Sequence, residues 1–369
     1  MTAATSLVSS APAGRVAVPD GEQARNARRM RHLVYGHLRS RAVCAMAELG
    51  LADLLGDDRL TATELARLSD ADPALLARLL RALAVFGVLR EEGAGQFALT
   101  PLGATLRGDA PGSALATALL ASAAVAPAWQ QLPEVVRSGR PAFAAEFGRE
   151  FFAHLESDPE LRSLFDRSQE TGLALELESV VGAVDLSGPH TLVDVGGGDA
   201  AMLTGLLDAF PQLSGILVDL ASALPAARRR LAATGLADRC VLVEGDFFGV
   251  LPSGADSYLL RHILHDWDDN SCRELLRSCH RAMDPGSRLL VVEHLVAPAD
   301  ALSGADASDA QSGALMDLYM MSLFGGGQER GRAEFEGLLR DAGFTVTGVT
   351  RLPGGSAVVE ARQTGGEPC

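Results

Sequence analysis

Acidic residues and one histidine stand where a nucleotide-like ligand and a proton transfer could meet. Asp194-Val195-Gly196-Gly197-Gly198-Asp199 follows the apolar pair Leu192-Val193, so a buried strand is expected to end in a glycine-rich turn that opens a helix. Such a turn offers backbone N–H groups and a helix N-terminus to a small ligand. Gly196-x-Gly198-x-x-Ala201 satisfies the dinucleotide fingerprint, and Asp219 lies at the spacing where a carboxylate meets ribose hydroxyls. The turn alone leaves the ligand open.

Charge narrows the choice. Asp194 and Asp199 flank the glycines and would repel a pyrophosphate. S-adenosylmethionine carries an α-amino group and a sulfonium but no phosphate, so it suits these carboxylates better than NAD does. Other candidates fall just past later strands, where ligands of an open parallel sheet bind. Asp219 suits a ribose diol, and Asp246, in Asp246-Phe247-Phe248, can accept from an adenine amine beside an aromatic ring. The run Arg261-His262-Ile263-Leu264-His265-Asp266-Trp267 opens toward the same rim, followed by Glu293, Asp317 and Glu329. His262, His265 and Asp266 also have the side chains of a metal site, which leaves metal activation as a competing reading of that run.

The elements that must position these residues are legible as a change of rhythm. Residues 1–20 are small and polar and read as a disordered tail. From Ala24 to Leu55, Met30, Leu33, Val34, Leu38, Val43, Met46, Leu49 and Leu54 recur at helical spacing. Thr61-Ala62-Thr63-Glu64 is a capping-box pattern, and Asp72-Pro73 reads as the start of a helix that stops at Gly87. Val88–Arg90 and Gln96–Leu99 make a hairpin. Residues 21–112 thus read as a winged-helix-like domain, but acids surround the one helix that could enter DNA, which carries only Arg78 and Arg81. Nucleic acid is not expected as a partner; a dimerising module is.

Residues 113–185 read as a helical connector. Its Phe143, Phe147, Phe151, Phe152 and Phe165 fit either a core or a substrate pocket. Residues 186–369 alternate strands and helices as a mostly parallel sheet does, with strands near 191–195, 215–218, 240–243, 257–260 and 288–292. A final hairpin, 345–350 and 357–361, turns at Pro353-Gly354-Gly355, and Pro298–Gly313 reads as an exposed mobile loop. The 369 residues suffice for a large core without staples, and the net charge of −15 argues against nucleic acid. Five scattered cysteines, no membrane-length apolar run and no signal pattern point to a cytoplasmic protein with reduced thiols. All 32 basic residues are arginine, which excludes Schiff-base chemistry and a lysine-bearing phosphate loop.

Taken in order, LVDVGGG at Leu192–Gly198, GDFF at Gly245–Phe248, the Arg261–Asp269 run, Val291-Val292-Glu293 and the block from Asp317 to Glu329 resemble the S-adenosylmethionine-dependent O-methyltransferases of the plant caffeic-acid and bacterial aromatic-polyketide type. The resemblance covers nearly the whole ordered chain. It implies a homodimer built through the N-terminal domain and a C-terminal Rossmann-like class I methyltransferase domain. It implies His265 as catalytic base with Glu293 and Glu329 beside it, and S-adenosyl-L-homocysteine as product. Cofactor contacts fall to Asp194, Gly196, Gly198, Asp219, Leu220, Gly245, Asp246, Phe247 and Arg261. The acceptor, a small phenol, would meet Met316, Tyr319, Met320, Leu323 and Phe324 on one helix, with Phe152, Phe165 and Gln169 opposite and Asp266 near the base. Proton removal by an imidazole suits a displacement that neutralises charge in a dry pocket, and no metal is expected. Three positions depart from the family pattern: Ala221 replaces a proline, Ala200-Ala201 a glycine, and Gln169 a methionine. A cofactor-binding relative with another reaction, an NAD-dependent oxidoreductase and a DNA-binding regulator are the other readings.

Overall fold

The computed structural model describes residues 20–297, 307–324 and 327–364; the N-terminal tail and 298–306 of the expected loop lie outside them. The chain divides into two compact units, one ending at Thr100 and one beginning at Pro101.

In the first unit the long helical stretch is broken into Gly21–Val34, Gly36–Glu48 and Leu51–Leu55. The last break is at Gly50, whose φ of 63° suits glycine. Thr61 and Glu64 close the capping box at 2.7 and 3.3 Å ahead of helix Ala62–Leu68. Asp72 accepts from the Leu75 amide at the start of helix Pro73–Val85. Strands β1 (Leu60–Thr61), β2 (Leu89–Glu92) and β3 (Gln96–Leu99) form an antiparallel sheet in the order β1-β3-β2. Helices and wing therefore stand as expected, with Leu65, Leu80, Leu83 and Phe97 buried.

The second unit starts with short helices between Pro101 and Ser157 and a long one, Pro159–Ala183. The sheet follows: β4 (His190–Val195), β5 (Leu213–Asp219), β6 (Cys240–Glu244), β7 (Ser257–Arg261), β8 (Arg288–Val296), β9 (Arg330–Gly331), β10 (Phe344–Arg351) and β11 (Ser356–Gln363). Its order is β10-β11-β8-β7-β4-β5-β6, with β9 beside β8. Strands β8, β7, β4, β5 and β6 run parallel, and β11 is antiparallel to both neighbours. Alternate residues feed opposite faces. Val193, Tyr258, Leu260, Leu289 and Val291 join Leu275, Leu276 and Leu338 on one side. Leu192, Leu259, Leu290 and Val292 join Leu203, Leu206 and Leu231 on the other. The strand order reverses between β4 and β7, so their carboxyl ends open the crevice where ligands of such sheets bind.

Two expectations are corrected. Residues 307–313 are not loop but the start of helix Ala307–Leu323. Gly313 is buried, and a Cβ there would lie 2.5 Å from the Leu295 carbonyl, so glycine lets this helix touch the end of β8. Strand β8 also continues past Val292, placing Glu293 inside the sheet opposite Ala357 and fully buried. The 3.4-odd Å per residue of a strand thus carries the sheet past the site instead of ending before it.

Candidate active site

The crevice has a cofactor side, a base side and an aromatic side. On the first, Asp194, Gly196, Gly198 and Arg261 share with Leu173 and Met202 the lining of a cavity of about 170 Å³. Asp194 is 2% exposed, and its Oδ2 has no hydrogen-bond partner among the described residues. Burial raises its pKa to about 7 against the opposing field of Arg261. A Cβ on Gly197 would come within 2.3 Å of that oxygen, so the glycine keeps the approach open. Asp219 accepts from the Gly198 amide at 2.8 Å and from the Leu220 amide at 2.6 Å. The N–H a pyrophosphate would need is thereby taken by a carboxylate, which disfavours a dinucleotide. Gly245 donates to the Asp219 carbonyl, Asp246 accepts from Phe248, and Phe247 faces the Gly196 turn. An unpartnered acid, a second carboxylate at the turn and an aromatic wall fit the amino, ribose and adenine groups of S-adenosylmethionine.

Asp199 does not charge the turn, because Arg230 pairs with it (Nε at 3.1 Å) and it caps the Ala201 amide. Among the described residues that leaves Asp194 and Asp219 as the unpaired acids at the turn. Ala200, at the glycine departure, sits at φ 66° with its methyl in the core. A much larger cavity, about 400 Å³, opens at the other end of the sheet between His190, Asp256 and Arg288. It is remote from every residue of the crevice, so size does not mark the site here.

On the base side, His265 lies in a short turn, Leu264–Asp266, after β7. Its Nδ1 is 3.0 Å from Glu329 Oε1 and 3.7 Å from Glu293 Oε2. With Nδ1–H donated to Glu329, Nε2 is free to accept a proton, the nearest acid being the half-exposed Asp266 at 3.5 Å. Glu293 Oε1 accepts from the Ile263 and Leu264 amides at 2.9 and 2.7 Å, fixing the loop. Burial would keep the His265 imidazole neutral, but Glu293 and then Glu329 outweigh it and raise its pKa. Glu329 is held in turn by its own amide donating to Asp317 on helix Ala307–Leu323. His262, His265 and Glu293, rather than Asp266, bring one donor atom each within 4.8 Å. Each is bonded through one atom, His265 to Glu329, His262 to Glu176 and Glu293 to the loop amides, while His262 Nδ1 and Glu293 Oε2 have no hydrogen-bond partner among the described residues.

On the aromatic side, Phe143 and Phe151 are core, whereas Phe152 is 55% exposed and stacks on Phe324 at 5.5 Å. Phe165 meets Phe151 edge-on at 5.4 Å, and Tyr319 lies 6.2 Å from Phe324. Met316 is half-buried, and Met320 packs at Gly327 beside the His265 carbonyl. Leu323 is fully buried among Phe143, Phe151 and Leu161, and Met320 is buried as well. Gln169 is exposed on the long helix, one turn from Phe165 and one turn from Leu173.

Two residues escaped sequence reasoning. Glu176, in the middle of the long helix, reaches Arg261 Nε at 2.6 Å and His262 Nε2 at 3.2 Å. Arg330, 1% exposed, donates to the Leu264 and Trp267 carbonyls at 2.8 and 2.7 Å and to Asp269 at 3.0 Å. It grips both sides of the turn that carries His265.

A sheet of this order with an acid-lined glycine turn at its switch point defines a class I methyltransferase domain. Comparison with known proteins gives the narrower assignment. The O-methyltransferase domain family matches residues 129–345, and the O-methyltransferase dimerisation domain family matches 31–109. The chain is 46% identical to O-methyltransferase SfmM3 of Streptomyces lavendulae over 90% of this chain and 99% of that one. It is similar to the crystal structure of NcsB1, an O-methyltransferase from neocarzinostatin biosynthesis in complex with S-adenosylmethionine and 2-hydroxy-5-methyl naphthoic acid. That likeness has TM-score 0.69 and 34% identity, covering 88% of this chain and 96% of that one. It is also 38% identical to aclacinomycin 10-hydroxylase RdmB of Streptomyces purpurascens, over 86% of each chain. The chain belongs to the S-adenosylmethionine-dependent O-methyltransferase family of natural-product biosynthesis.

Proposed function

We propose that this enzyme methylates a phenolic hydroxyl of a small aromatic secondary metabolite, with His265 as general base and without a metal. The observation that carries this is the His265–Glu329 hydrogen bond at 3.0 Å, which fixes one ring nitrogen as donor and leaves the other to take the acceptor's proton. When bound, S-adenosylmethionine supplies a methyl group made electrophilic by its sulfonium. Asp194, Asp219 and Asp246 hold it, and Glu293 and Arg330 keep the His265 turn rigid. Phe152, Phe324, Tyr319 and Met320 offer a flat apolar acceptor aromatic and thioether contacts.

Methyl transfer from labelled S-adenosylmethionine to hydroxynaphthoates and related phenols tests this directly. An O-methyl product is expected, at an unchanged rate after chelator treatment. Because His265 must be neutral to act and its pKa is raised, kcat/KM should fall on the acid side from a midpoint above the ordinary imidazole value of about 6.5. Magnesium-dependent activity would contradict the mechanism. The relationship to a hydroxylase favours one alternative, a cofactor-binding protein with a non-methylating reaction. An oxygenated product with the cofactor's methyl retained would establish it instead.

We also infer a homodimer formed through the first unit. Met30 and Leu33 on its first helix, Leu38 on its second and Tyr35 between them are 60, 67, 55 and 56% exposed, and residues 31–109 match the dimerisation family. Sedimentation at micromolar concentration should give a dimer; a monomer would reject the inference. Among the described residues no helix is long and apolar enough to cross a membrane.

A further inference from the structure

Glu176 is the one side chain of the long helix Pro159–Ala183 that bonds to both functional sides of the crevice. Its carboxylate is 10% exposed and forks. Oε2 takes Arg261 Nε at 2.6 Å, and Arg261 lines the cofactor cavity. Oε1 faces His262 Nε2 at 3.2 Å. The His262 ring then stacks on His265 at 5.4 Å with 27° between planes, and its Nδ1 lies 3.5 Å from Glu293 Oε2. His262 takes φ 51°, a left-handed backbone uncommon outside glycine, with its ring flanked by the two acids. We propose that Glu176 is a positioning residue for methyl transfer, fixing Arg261 at the cofactor cavity and His262 between Glu293 and the catalytic histidine.

Each arm has a physical consequence. Arg261 is close enough to Asp194 to oppose the rise in its pKa, and Asp194 Oδ2 is unpartnered. Glu176 holds the guanidinium off that oxygen and so keeps it open for the cofactor's amino group. On the other arm His262 is faced by Glu176 from the helix, by Glu293 and His294 from β8, and by Arg261, His265 and Asp266 from its own loop. Burial pushes its imidazole down, but the hydrogen bond to Glu176 and the Glu293 carboxylate 3.5 Å from Nδ1 outweigh this and bring the pKa to about 9. The imidazolium offsets the charge of Glu293, which otherwise acts on His265 Nδ1 alone. Without Glu176, His262 loses its proton and His265 binds one more tightly, so that less of it is neutral and able to take the acceptor's proton near pH 7.

This second arm rests on His265 being the base; the first does not. Glu176→Gln is compared with Glu178→Gln on the exposed face of the same helix, with melting temperature as the control for folding. Glu176→Gln is expected to weaken S-adenosylmethionine binding in calorimetry about tenfold and to move the acid limb of kcat/KM upward by about one pH unit. Glu176→Asp, which keeps the charge on a shorter stem, should recover part of both. If Glu176→Gln fails to fold, His262→Gln supplies the same upward shift of the limb. Parental cofactor affinity or a parental acid limb in folded Glu176→Gln overturns the proposal. Should His265→Gln stay active while Glu176→Gln loses affinity, the base assignment fails and the cofactor arm stands.

Discussion

His265→Gln is expected to lose a factor of about 10² to 10⁴ in turnover while keeping its cofactor affinity. Glutamine preserves the length of the side chain and can donate an amide N–H to Glu329, so the loop that Glu293 and Arg330 hold should not move. What it cannot do is take a proton from the acceptor. The proposed cofactor contacts, Asp194 on β4 and Asp219 on β5, do not involve this ring. Calorimetry should therefore return the parental affinity, and single-turnover rates the deficit. Near-normal turnover at neutral pH would remove His265 from the base role.

Arg330→Met is expected to be the most destabilising single change near the site. The guanidinium is 1% exposed and satisfies the carbonyls of Leu264 and Trp267 besides pairing with Asp269. Methionine fills much of the volume but leaves those two acceptors to weak thiol contacts from Cys272 at 3.2 and 3.5 Å. Unpaired buried acceptors and a lost ion pair together cost about 3 kcal/mol. A melting temperature lower by roughly 5–10 °C should result, with kcat reduced because the turn between Leu264 and Trp267 carries His265. A parental melting temperature would mean that the loop is held by Glu293 alone.

How much of this was legible in the sequence depended on whether the signal was local. The strands were legible because both faces of the sheet are covered, so each reads as an apolar run ending in a chemically distinctive residue. The His265, Glu293 and Glu329 cluster was legible for the same reason, since each falls at or near one sheet rim. Glu176 was not, because an acid in mid-helix looks solvated and its partner Arg261 lies 85 residues on. Arg330 was hidden likewise: nothing local marks an arginine as buried when its acceptors are carbonyls 63 and 66 residues away. The helix carrying Met316 to Leu323 was legible but its start, 307–313, was not, because alanine, serine, aspartate and glycine read as loop, although close packing at Gly313 needs a small residue there. Asp199 looked like a ligand acid until Arg230, 31 positions later, proved to neutralise it.

The most direct test of the central claim is the pH dependence of the rate deficit of His265→Gln in single-turnover methyl transfer to a confirmed phenolic acceptor. If His265 removes the hydroxyl proton, the deficit should be full near pH 7 and shrink toward alkaline pH, where a phenol of pKa about 10 ionises unaided. A deficit that stays constant from neutral to alkaline pH, or that is absent throughout, would contradict general-base catalysis by His265.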